Sequence, residues 1–412
     1  MVASPAPRPA LPPGDLTRRW VIIGMLCLST FLNYFDRQTL SILKPTLKDE
    51  FGFDDNGYAN IVSAFMVTYV IAYALSGRLV DWVGSRISLT LFVGVWSTAN
   101  LLTGFAQTMG QLLACRAVLG AAEPGNYPAA LRATATWFPA HLRGLAASIY
   151  QSGSATAAVI ALPIVAFVAA TWGWRMAFVV PGIAGLVWAF AWWRIYRAPS
   201  LEYAPPDPQA EVARPSWGQL IRRPQLWGIV LARLVSDQVW YFCLFWMPGY
   251  LQENLHLTLV QAGLIGWVPF LIADLSGVGS GFVSDRLVRR GLAPGQARLR
   301  VLSVMAFLAP CAMAVPFAHN VAVVIGLFCV VAAVCQVWLF TVTTLVADIF
   351  PRTSVASVLG IAGSFGALGG LLSSKLIGTF VGTLGFTPVF LALGCFHLVA
   401  AAILRYFLKS AR

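Results

Sequence analysis

The stretch GRLVDWVGSR at residues 77–86 is echoed by GFVSDRLVRR at residues 281–290. The first glycine, the aspartate and the last arginine of the first stretch (Gly77, Asp81 and Arg86) each lie 204 positions before their counterparts, which is close to half of the 412 residues. A polar, arginine-rich turn that recurs at half the chain length is typical of a duplicated unit. The sequence therefore predicts two structurally related halves.

The composition around these turns is that of a membrane protein. Apolar residues make up 58% of the chain, charged residues make up 11%, and the mean hydropathy is +0.74. Ordinary soluble domains carry about 25% charged residues. At roughly 20 residues per span, the apolar content is enough for about a dozen membrane-spanning helices. These values exclude an ordinary soluble domain, a disordered chain, collagen and a small disulfide-bonded scaffold.

Hydropathy predicts twelve membrane-spanning helices, and hence an all-α membrane protein made of two pseudo-symmetric six-helix bundles. The predicted spans are residues 20–41, 58–80, 87–106, 110–135, 145–169, 174–196, 225–251, 259–283, 299–317, 321–347, 354–381 and 386–407. A proline-rich stretch at 197–224 separates a bundle at 20–196 from a bundle at 225–407, with tails at 1–19 and 408–412. We predict that this stretch is a linker.

The positive charge lies mostly on one side of the predicted spans. Of the 28 lysines and arginines, 21 fall in one set of connections, whereas Lys44, Lys48 and Arg175 fall on the opposite side. Such asymmetry marks the cytoplasmic side, so we predict that both termini and the linker are cytoplasmic. Because the charge follows the membrane topology, we interpret the net charge of +12 as an orientation signal and expect no nucleic-acid partner.

Several ionisable residues lie inside the predicted spans, where each costs about 2.5–3.5 kcal/mol and is a functional candidate by default. Asp36 lies about 24 Å along the first span and Arg116 about 9 Å into the fourth, which runs the other way, so both side chains reach a similar depth. Glu123 follows Arg116 by seven residues, which predicts that both lie on one face of a continuous fourth helix. We expect Arg37 to face the cavity and Asp36 to face the fourth helix.

These charges suit proton transfer. A carboxyl group in an apolar site favours its neutral form and a nearby arginine favours the ionised form, so a conformational change can move a proton. Asp36 and Glu123 are therefore proton-coupling candidates, with buried structural salt bridges as the alternative. Asp274, about 16 Å from the loop after the eighth span, is a third candidate acid whose alternative is a structural role. Arg233 and Asp237 either contact substrate or satisfy one another.

The repeated turn resembles the loop motif of the major facilitator superfamily, which follows the second and eighth helices of that fold. The residues that match this cytoplasmic gating motif are Gly77, Asp81, Gly84, Arg86, Gly281, Asp285, Arg286 and Arg290. Val80, Trp82 and Ser85 stand where the family usually has a small residue and two basic ones, which predicts a weaker latch in the first half. The resemblance implies the twelve-helix major facilitator fold.

Within that superfamily, residues 33–37 (NYFDR) resemble the anion:cation symporter family. The stretches at 233–242 and 273–277 are further similar to its hexuronate transporter branch. The resemblance implies that Asp36 and Glu123 are protonation sites.

The same resemblance implies that Arg37 contacts an anionic substrate, and we expect Arg116 to modulate Glu123. Tyr69 matches a substrate-contacting tyrosine of the family, and Ser364 stands where relatives often carry asparagine. The further candidate substrate contacts are Tyr34, Gln151, Ser154, Arg233, Trp240, Thr341 and Thr344. Packing between helices is the alternative for the hydroxyl residues.

These observations predict a proton-coupled symporter that imports small organic anions, with hexuronates or related sugar acids as the expected substrates. We expect it in the lipid of a bacterial inner membrane, as a monomer by resemblance to the superfamily. The alternatives are an exporter or exchanger of another carboxylate and a non-transporting sugar-acid receptor. The sequence contains no phosphate-binding loop, metal-binding histidine spacing or hydrolase motif, so we predict no cofactor, no metal site and no enzymatic activity.

Overall fold

The computed structural model describes residues 13–138, 140–197, 217–350 and 352–409, which contain helices and no strand. The α-helices in chain order are α1 (Pro13–Ile42), α2 (Lys44–Phe51), α3 (Asp55–Thr103), α4 (Met109–Ala122), α5 (Asn126–Trp137), α6 (Ala140–Trp172), α7 (Met176–Ile195), α8 (Trp217–Ile221), α9 (Pro224–Phe245), α10 (Met247–Glu253), α11 (Leu259–Ile265), α12 (Val268–Arg289), α13 (Pro294–Leu308), α14 (Val321–Ile349), α15 (Arg352–Leu384) and α16 (Thr387–Lys409). The 3-10 segments Glu123–Gly125 and Ala309–Phe317 continue α4 and α13. Most of the predicted linker and parts of both predicted tails lie outside the described residues.

Within these ranges, eight helical segments are long and apolar enough to cross a membrane. They are Ile149–Trp172, Met176–Ile195, Pro224–Phe245, Leu259–Arg289, Pro294–Phe317, Val321–Val346, Ser357–Leu384 and Thr387–Leu408, which coincide with the last eight predicted spans. The first four predicted spans correspond to α1, the two arms of α3, and α4 with α5. The all-α membrane architecture predicted from the sequence is confirmed.

The helix α3 carries two predicted spans, because the turn between them is a break at a single residue. Gly84 has φ 80° and ψ 163°, a backbone conformation that glycine adopts at little cost. The Ser88 hydroxyl donates to the Gly84 carbonyl at 2.8 Å and covers the broken end. The second glycine of the repeated turn is thus explained by backbone geometry.

Prolines interrupt three other predicted spans. Pro124 follows Glu123 in the 3-10 turn between α4 and α5, Pro248 lies at the start of α10, and Pro269 lies at the start of α12. A proline lacks the N–H that would continue the helix before it. The prediction of a continuous fourth helix is therefore wrong at its centre, where the 3-10 turn separates the carboxylate from the helix that carries Arg116.

The two halves pack closely at one end, which we call the outer end because it lies opposite the arginine-rich connections. A Cβ at Gly378 of α15 would lie 2.2 Å from the Ala59 side chain of α3. A Cβ at Gly263 of α11 would lie 2.7 Å from the Ala166 side chain of α6. Because only glycine permits this approach, the sequence itself favours a closed outer end.

Toward the opposite end, α3 and α15 lose this close contact. A Cβ at Gly77 of α3 or at Gly360 of α15 would meet no atom within 4 Å. The Leu75 side chain, two residues before Gly77, is 63% exposed. The described contact between α3 and α15 is therefore tighter at the outer end than at the opposite end.

Candidate functional site

The centre of the site is an ion pair between the first and fourth predicted spans. The Arg37 Nε donates to the Glu123 Oε2, and the two side chains are 8% and 0% exposed. The Arg37 Nη2 donates to the Asn33 Oδ1 at 3.0 Å, and the Asn33 amide donates to the Glu123 carbonyl at 3.3 Å. Arg37 therefore contacts the fourth predicted span, which we expected of Asp36, whose charge does act on Arg116 of that span.

Aromatic rings surround the Arg37 guanidinium. Its central carbon lies 4.7 Å from the centre of the Tyr69 ring, 5.1 Å from Tyr34 and 5.6 Å from Phe65. Each such contact contributes roughly 0.5–2 kcal/mol, more where the cation is desolvated. Because a ring stabilises a cation without neutralising it, Arg37 keeps its affinity for an anion. The structure thus brings Tyr34 and Tyr69, both predicted substrate contacts, to Arg37.

Close helix packing determines where Glu123 lies. A Cβ at Gly120 would lie 2.2 Å from the Phe65 carbonyl oxygen, and a Cβ at Gly125 would lie 2.2 Å from the Phe92 ring. The 3-10 turn between these two glycines is therefore pressed against α3. Its first residue, Glu123, is 1% exposed as a whole.

Asp36 lies beside this pair and is only partly satisfied. It is 1% exposed, and its Oδ1 accepts a hydrogen bond from the Asn100 amide at 2.8 Å. Its Oδ2 has no hydrogen-bond partner among the described residues. Asn100 is on the second arm of α3, so Asp36 is bonded to the third predicted span and not to the fourth.

Arg116 is a buried cation without an ion-pair partner in the described part of the chain. It is 1% exposed, and its guanidinium lies 5.1 Å from the centre of the Phe178 ring. Its Nε and Nη2 have no hydrogen-bond partner within the same residues. Its charge acts on both Asp36 and Glu123. Arg116 is therefore placed to influence the charge of either carboxylate.

The second half contributes a paired arginine. The Arg233 Nε and Nη2 lie 2.9 and 2.7 Å from the Asp237 Oδ2, one turn further along α9. The Ser236 hydroxyl donates to the Asp237 Oδ1 at 3.2 Å. A Cβ at Gly366 of α15 would lie 2.1 Å from the Asp237 Oδ2, so glycine there leaves room for the carboxylate. The two residues satisfy one another in this structure, and substrate contact by Arg233 stays a prediction.

Asp274 is held differently from the other acids. The Gln336 Nε2 of α14 donates to the Asp274 Oδ1 at 2.8 Å. No cation of the described chain acts on it, whereas its own charge acts on Tyr34 of the first half. A carboxyl group with an amide partner and no cation can be protonated without leaving a counter-charge buried. Asp274 is therefore chemically suited to carry a proton.

Two tyrosines that the sequence analysis did not single out also lie at the site. The charge of Arg233 acts on Tyr73 and Tyr127 of the first half. The Tyr73 and Tyr69 rings are 5.7 Å apart on α3. For Tyr73 the signal was present in the sequence, because Tyr73 follows Tyr69 by four residues and such residues share one face of a helix.

Four of the predicted substrate contacts make no described contact with Arg37. Gln151 is exposed, and the Ser154 hydroxyl donates to the Gln151 carbonyl at 2.7 Å. The Ser364 hydroxyl donates to the carbonyl one turn earlier at 3.1 Å. Trp240 packs edge-to-face against Phe270, with ring centres 5.9 Å apart. None of these described contacts involves Arg37, so a role in binding stays a prediction for all four.

Thr341 and Thr344 line a separate cavity of about 220 Å³ between α12 and α14. This cavity lies within the second half. It is also lined by Arg298, whose Nε is 3.2 Å from the Asp348 Oδ2. The structure therefore does not bring either threonine to Arg37. Hydropathy could not show this, because it does not fix which face of α14 is directed at the other half.

The gating motif is described in part. The Arg86 Nε and Nη2 donate to the Trp193 carbonyl at 3.1 and 2.7 Å, and the guanidinium lies 4.4 Å from the Trp193 ring centre. In the second half, Arg286 and Arg290 are exposed. The side chains of Asp81 and Asp285 lie outside the described residues, so the latch stays a prediction.

Four charges join the halves at the outer end, and we call Lys44, Lys48, Asp55 and Glu253 the outer ion cluster. The Lys44 Nζ lies 2.7 Å from the Asp55 Oδ1 and 2.8 Å from the Glu253 Oε2. The Lys48 Nζ lies 3.3 and 3.2 Å from the same two carboxylates. Lys44 is fully buried, with its Nζ 4.9 Å from the centre of the Trp246 ring. Only Glu253 comes from the second half.

The charges of the outer ion cluster favour the ionised forms of Asp55 and Lys48. Burial acts to raise the pKa of Asp55, but Lys44 and Lys48 outweigh burial and hold that pKa below its usual value of 3.8. Burial acts to lower the pKa of Lys48, but Glu253 and Asp55 raise that pKa above 10.5. In the sequence, the two lysines were visible only as exceptions to the charge asymmetry.

The sequence is similar to those of several named bacterial transporters. The hexuronate transporter of Escherichia coli K12 is 29% identical over 401 residues, which cover 94% of this chain and 93% of the relative. The probable galactarate/D-glucarate transporter of the same strain is 30% identical over 413 residues, covering 93% and 91%. The D-galactonate transporter of Escherichia coli O6:H1 is 26% identical over 406 residues, covering 93% and 94%.

A solved structure shares the fold. A bacterial homologue of the human lysosomal transporter Spinster, in an inward-facing and occupied conformation, has a TM-score of 0.74 at 18% identity. The alignment covers 95% of this chain and 97% of the homologue, which confirms the twelve-helix fold predicted from the sequence. The sequence model of the Major Facilitator Superfamily matches residues 26–339. The chain therefore belongs to the Major Facilitator Superfamily.

Proposed function

We propose that this protein imports sugar acids with a single carboxylate, such as hexuronates, together with protons. The relatives are named as transporters of hexuronate, D-galactonate and galactarate or D-glucarate. All of these are hydroxylated carboxylates. A planar guanidinium ringed by tyrosines suits this class, because arginine binds a carboxylate through two parallel donors.

The observation that carries the proposal is the ion pair between Arg37 and Glu123. Both side chains are buried, and the guanidinium is already bonded to the carboxylate. A substrate carboxylate in the cavity competes with Glu123 for the same donors. A proton on Glu123 removes its charge and leaves Arg37 free to bind the substrate, whereas loss of the proton restores the pair and displaces the substrate. Proton and substrate therefore bind together and leave together.

Alternating access supplies the movement. The bundles at 20–196 and 225–407 rock about the central site, which is open to one side of the membrane at a time. The outer ion cluster closes the outer side in this structure. Opening that side requires Lys44 and Lys48 to separate from Glu253 of the second half. The cluster is thus a gate whose closure defines the inward-facing state.

The charges of the second half favour a substrate with one carboxylate. Asp237 neutralises Arg233, and Asp274 adds a further carboxyl group near Tyr34. The second carboxylate of a dicarboxylic sugar acid would lie against these groups, where Arg233 is already paired with Asp237. Tyrosine hydroxyls both donate and accept hydrogen bonds, so they match the hydroxyl groups of the substrate instead.

Further acids extend the proton path. We assign Asp36 and Asp274 as additional proton-coupling residues, and Arg116 as the residue that modulates Glu123. The unpartnered Asp36 Oδ2 and the unpartnered Arg116 donors support this assignment, because both groups are free to exchange partners when the halves move. A buried cation that forms no ion pair in one state is expected to form one in another.

The placement in the cell rests on charge asymmetry. Of the 28 basic residues, 21 lie in one set of connections, which favours an inner-membrane protein with both termini in the cytoplasm. The outer ion cluster then faces the periplasm. We propose that one chain suffices for transport, because the site is built from the two halves of a single chain.

The proposal is tested with purified protein in proteoliposomes under an imposed pH gradient, alkaline inside. We expect concentrative uptake of galacturonate that stops when a protonophore collapses the gradient, with weaker uptake of galactarate and of aromatic acids. Counterflow without pH-driven accumulation would identify an exchanger instead. Binding without either activity would identify a receptor, and pH-driven export would reverse the proposed direction.

A further inference from the structure

A groove of about 490 Å³ opens on the second half at its arginine-rich end, between α13 and α16. Its walls include Leu292, Leu299, Arg300, Val304, Phe307 and Arg405. None of these residues belongs to the central site or to the outer ion cluster. The groove therefore calls for an explanation separate from transport of the substrate.

Two arginines give the groove a positive charge that no acid among the described residues compensates. The Arg405 Nη2 donates to the Ser303 Oγ at 2.8 Å, which holds its guanidinium against the wall. Arg300 is exposed, and the described residues provide no hydrogen bond or ion pair to its guanidinium. No aspartate or glutamate is among the described residues that line the groove. The groove is therefore complementary to an anion.

The groove also continues into the apolar part of the bilayer. Arg300 lies about 9 Å from the start of α13 and Arg405 about 6 Å from the end of α16, which is the depth of lipid headgroups. Val304 and Phe307 lie deeper along α13 and are 55% and 73% exposed. Charge at headgroup depth is thus followed by an exposed apolar wall at the depth of acyl chains.

We propose that this groove binds an anionic phospholipid. Arg300 and Arg405 hold its phosphodiester, and an acyl chain lies along Val304 and Phe307. Basic pockets between transmembrane helices are suited to anionic headgroups. A free phosphate would meet the arginines but gain nothing from the apolar wall, which is why the occupant is a lipid. Because α13 and α16 both belong to the second half, rocking of the halves leaves the site intact.

The test is native mass spectrometry of the full-length protein with dioleoyl phosphatidylglycerol or dioleoyl phosphatidylcholine. We expect the wild type to retain phosphatidylglycerol in preference to phosphatidylcholine. Each arginine near an anionic headgroup strengthens binding roughly five-fold. Arg300→Gln should therefore weaken phosphatidylglycerol retention about five-fold, and the double variant with Arg405→Gln about twenty-five-fold. The matched control is Arg289→Gln, an exposed arginine in the last turn of α12 outside the groove, which should retain the lipid fully.

Three results would overturn the proposal. They are equal retention of the two lipids by the wild type, unchanged retention of phosphatidylglycerol by the double variant, and displacement of the lipid by inorganic phosphate at millimolar concentration. The Arg300 side chain has no described protein partner, so Arg300→Gln should unfold at the wild-type temperature. A loss of lipid retention in this variant therefore does not reflect misfolding. The measurement uses no substrate, so its result is independent of the proposed transport function.

Discussion

Arg37 and Glu123 form an ion pair with less than a tenth of either side chain exposed. Removing one partner of a buried pair typically costs about 3–5 kcal/mol, because the other charge is left without compensation. Under the proposed function, substrate and proton therefore replace the two partners of this ion pair together. In that proposal the proton neutralises Glu123 while the substrate carboxylate compensates Arg37, so this one ion pair would couple the two.

Arg37→Lys should weaken substrate binding about 10–100-fold, corresponding to loss of a charged hydrogen bond of about 1.5–3 kcal/mol. Lysine keeps the positive charge but cannot present two parallel donors to a carboxylate. Isothermal titration calorimetry with galacturonate measures the effect. Arg175→Lys is the matched control, since Arg175 pairs with Glu50 on the exposed outer surface. If Arg37→Ala binds galacturonate as tightly as the wild type does, Arg37 is not in the site.

Asp237→Asn should destabilise the protein by up to about 3 kcal/mol, because Arg233, 14% exposed, is left largely buried without its partner. Galactarate should restore thermal stability in this variant, since its second carboxylate takes the place of Asp237. The double variant Arg233→Gln with Asp237→Asn removes both charges, so it should recover stability without galactarate. Thermal unfolding with and without each acid provides the measurement. Equal stabilisation of the wild type by galactarate and galacturonate would refute the preference for a single carboxylate.

Glu253→Gln should open the outer end, because it removes the contribution of the second half to the outer ion cluster. Spin labels at the exposed positions Asn56 and Asn254, in a variant without native cysteines, report the separation of the halves there. We expect a longer and broader distance distribution in Glu253→Gln than in the parent. Glu50→Gln breaks an ion pair within the first half and should leave the distribution unchanged. Identical distributions in all three proteins would mean that the cluster does not hold the gate.

The gate itself should not respond to pH between about 5 and 9. The contribution of Asp55 is lost only as pH falls through its lowered pKa, below 3.8, and that of Lys48 only as pH rises through its raised pKa, above 10.5. The same label pair, measured across this range without substrate in a Glu123→Gln background, isolates the cluster from the central acid. A change in distance near neutral pH would show that the cluster titrates and would contradict its assignment as a permanent ionic gate.

The fold could be predicted from the sequence because its signals are local. Hydropathy marks each span, and a repeated turn marks the duplication whether or not its tertiary contacts are known. Gly84 belongs to that turn in the sequence. The structure adds the physical reason for glycine there, which is its positive φ. The break at Glu123 was also visible in the sequence Glu-Pro-Gly, because proline ends the preceding helix. The seven-residue spacing of Arg116 and Glu123 had predicted one continuous helix instead.

The partners of the charges could not be predicted in the same way. Lys44 and Glu253 are 209 residues apart and meet only when the two halves pack. Helical spacing pairs Glu123 with Arg116, but in the folded chain Glu123 forms its ion pair with Arg37 of α1. Sequence thus identifies which residues are costly to bury, whereas the tertiary packing decides which of them compensate one another.

The central claim is that Glu123 couples the proton to the substrate, and Glu123→Gln tests it most directly. Glutamine keeps the size and hydrogen-bonding capacity of the protonated acid but cannot release a proton. In the same proteoliposomes, we expect counterflow of galacturonate at near the wild-type rate and no accumulation driven by a pH gradient. Glu50→Gln, on the exposed outer surface, should retain both activities. A purely structural ion pair predicts loss of both activities together, and a Glu123→Gln protein that still concentrates galacturonate as the wild type does would contradict the claim.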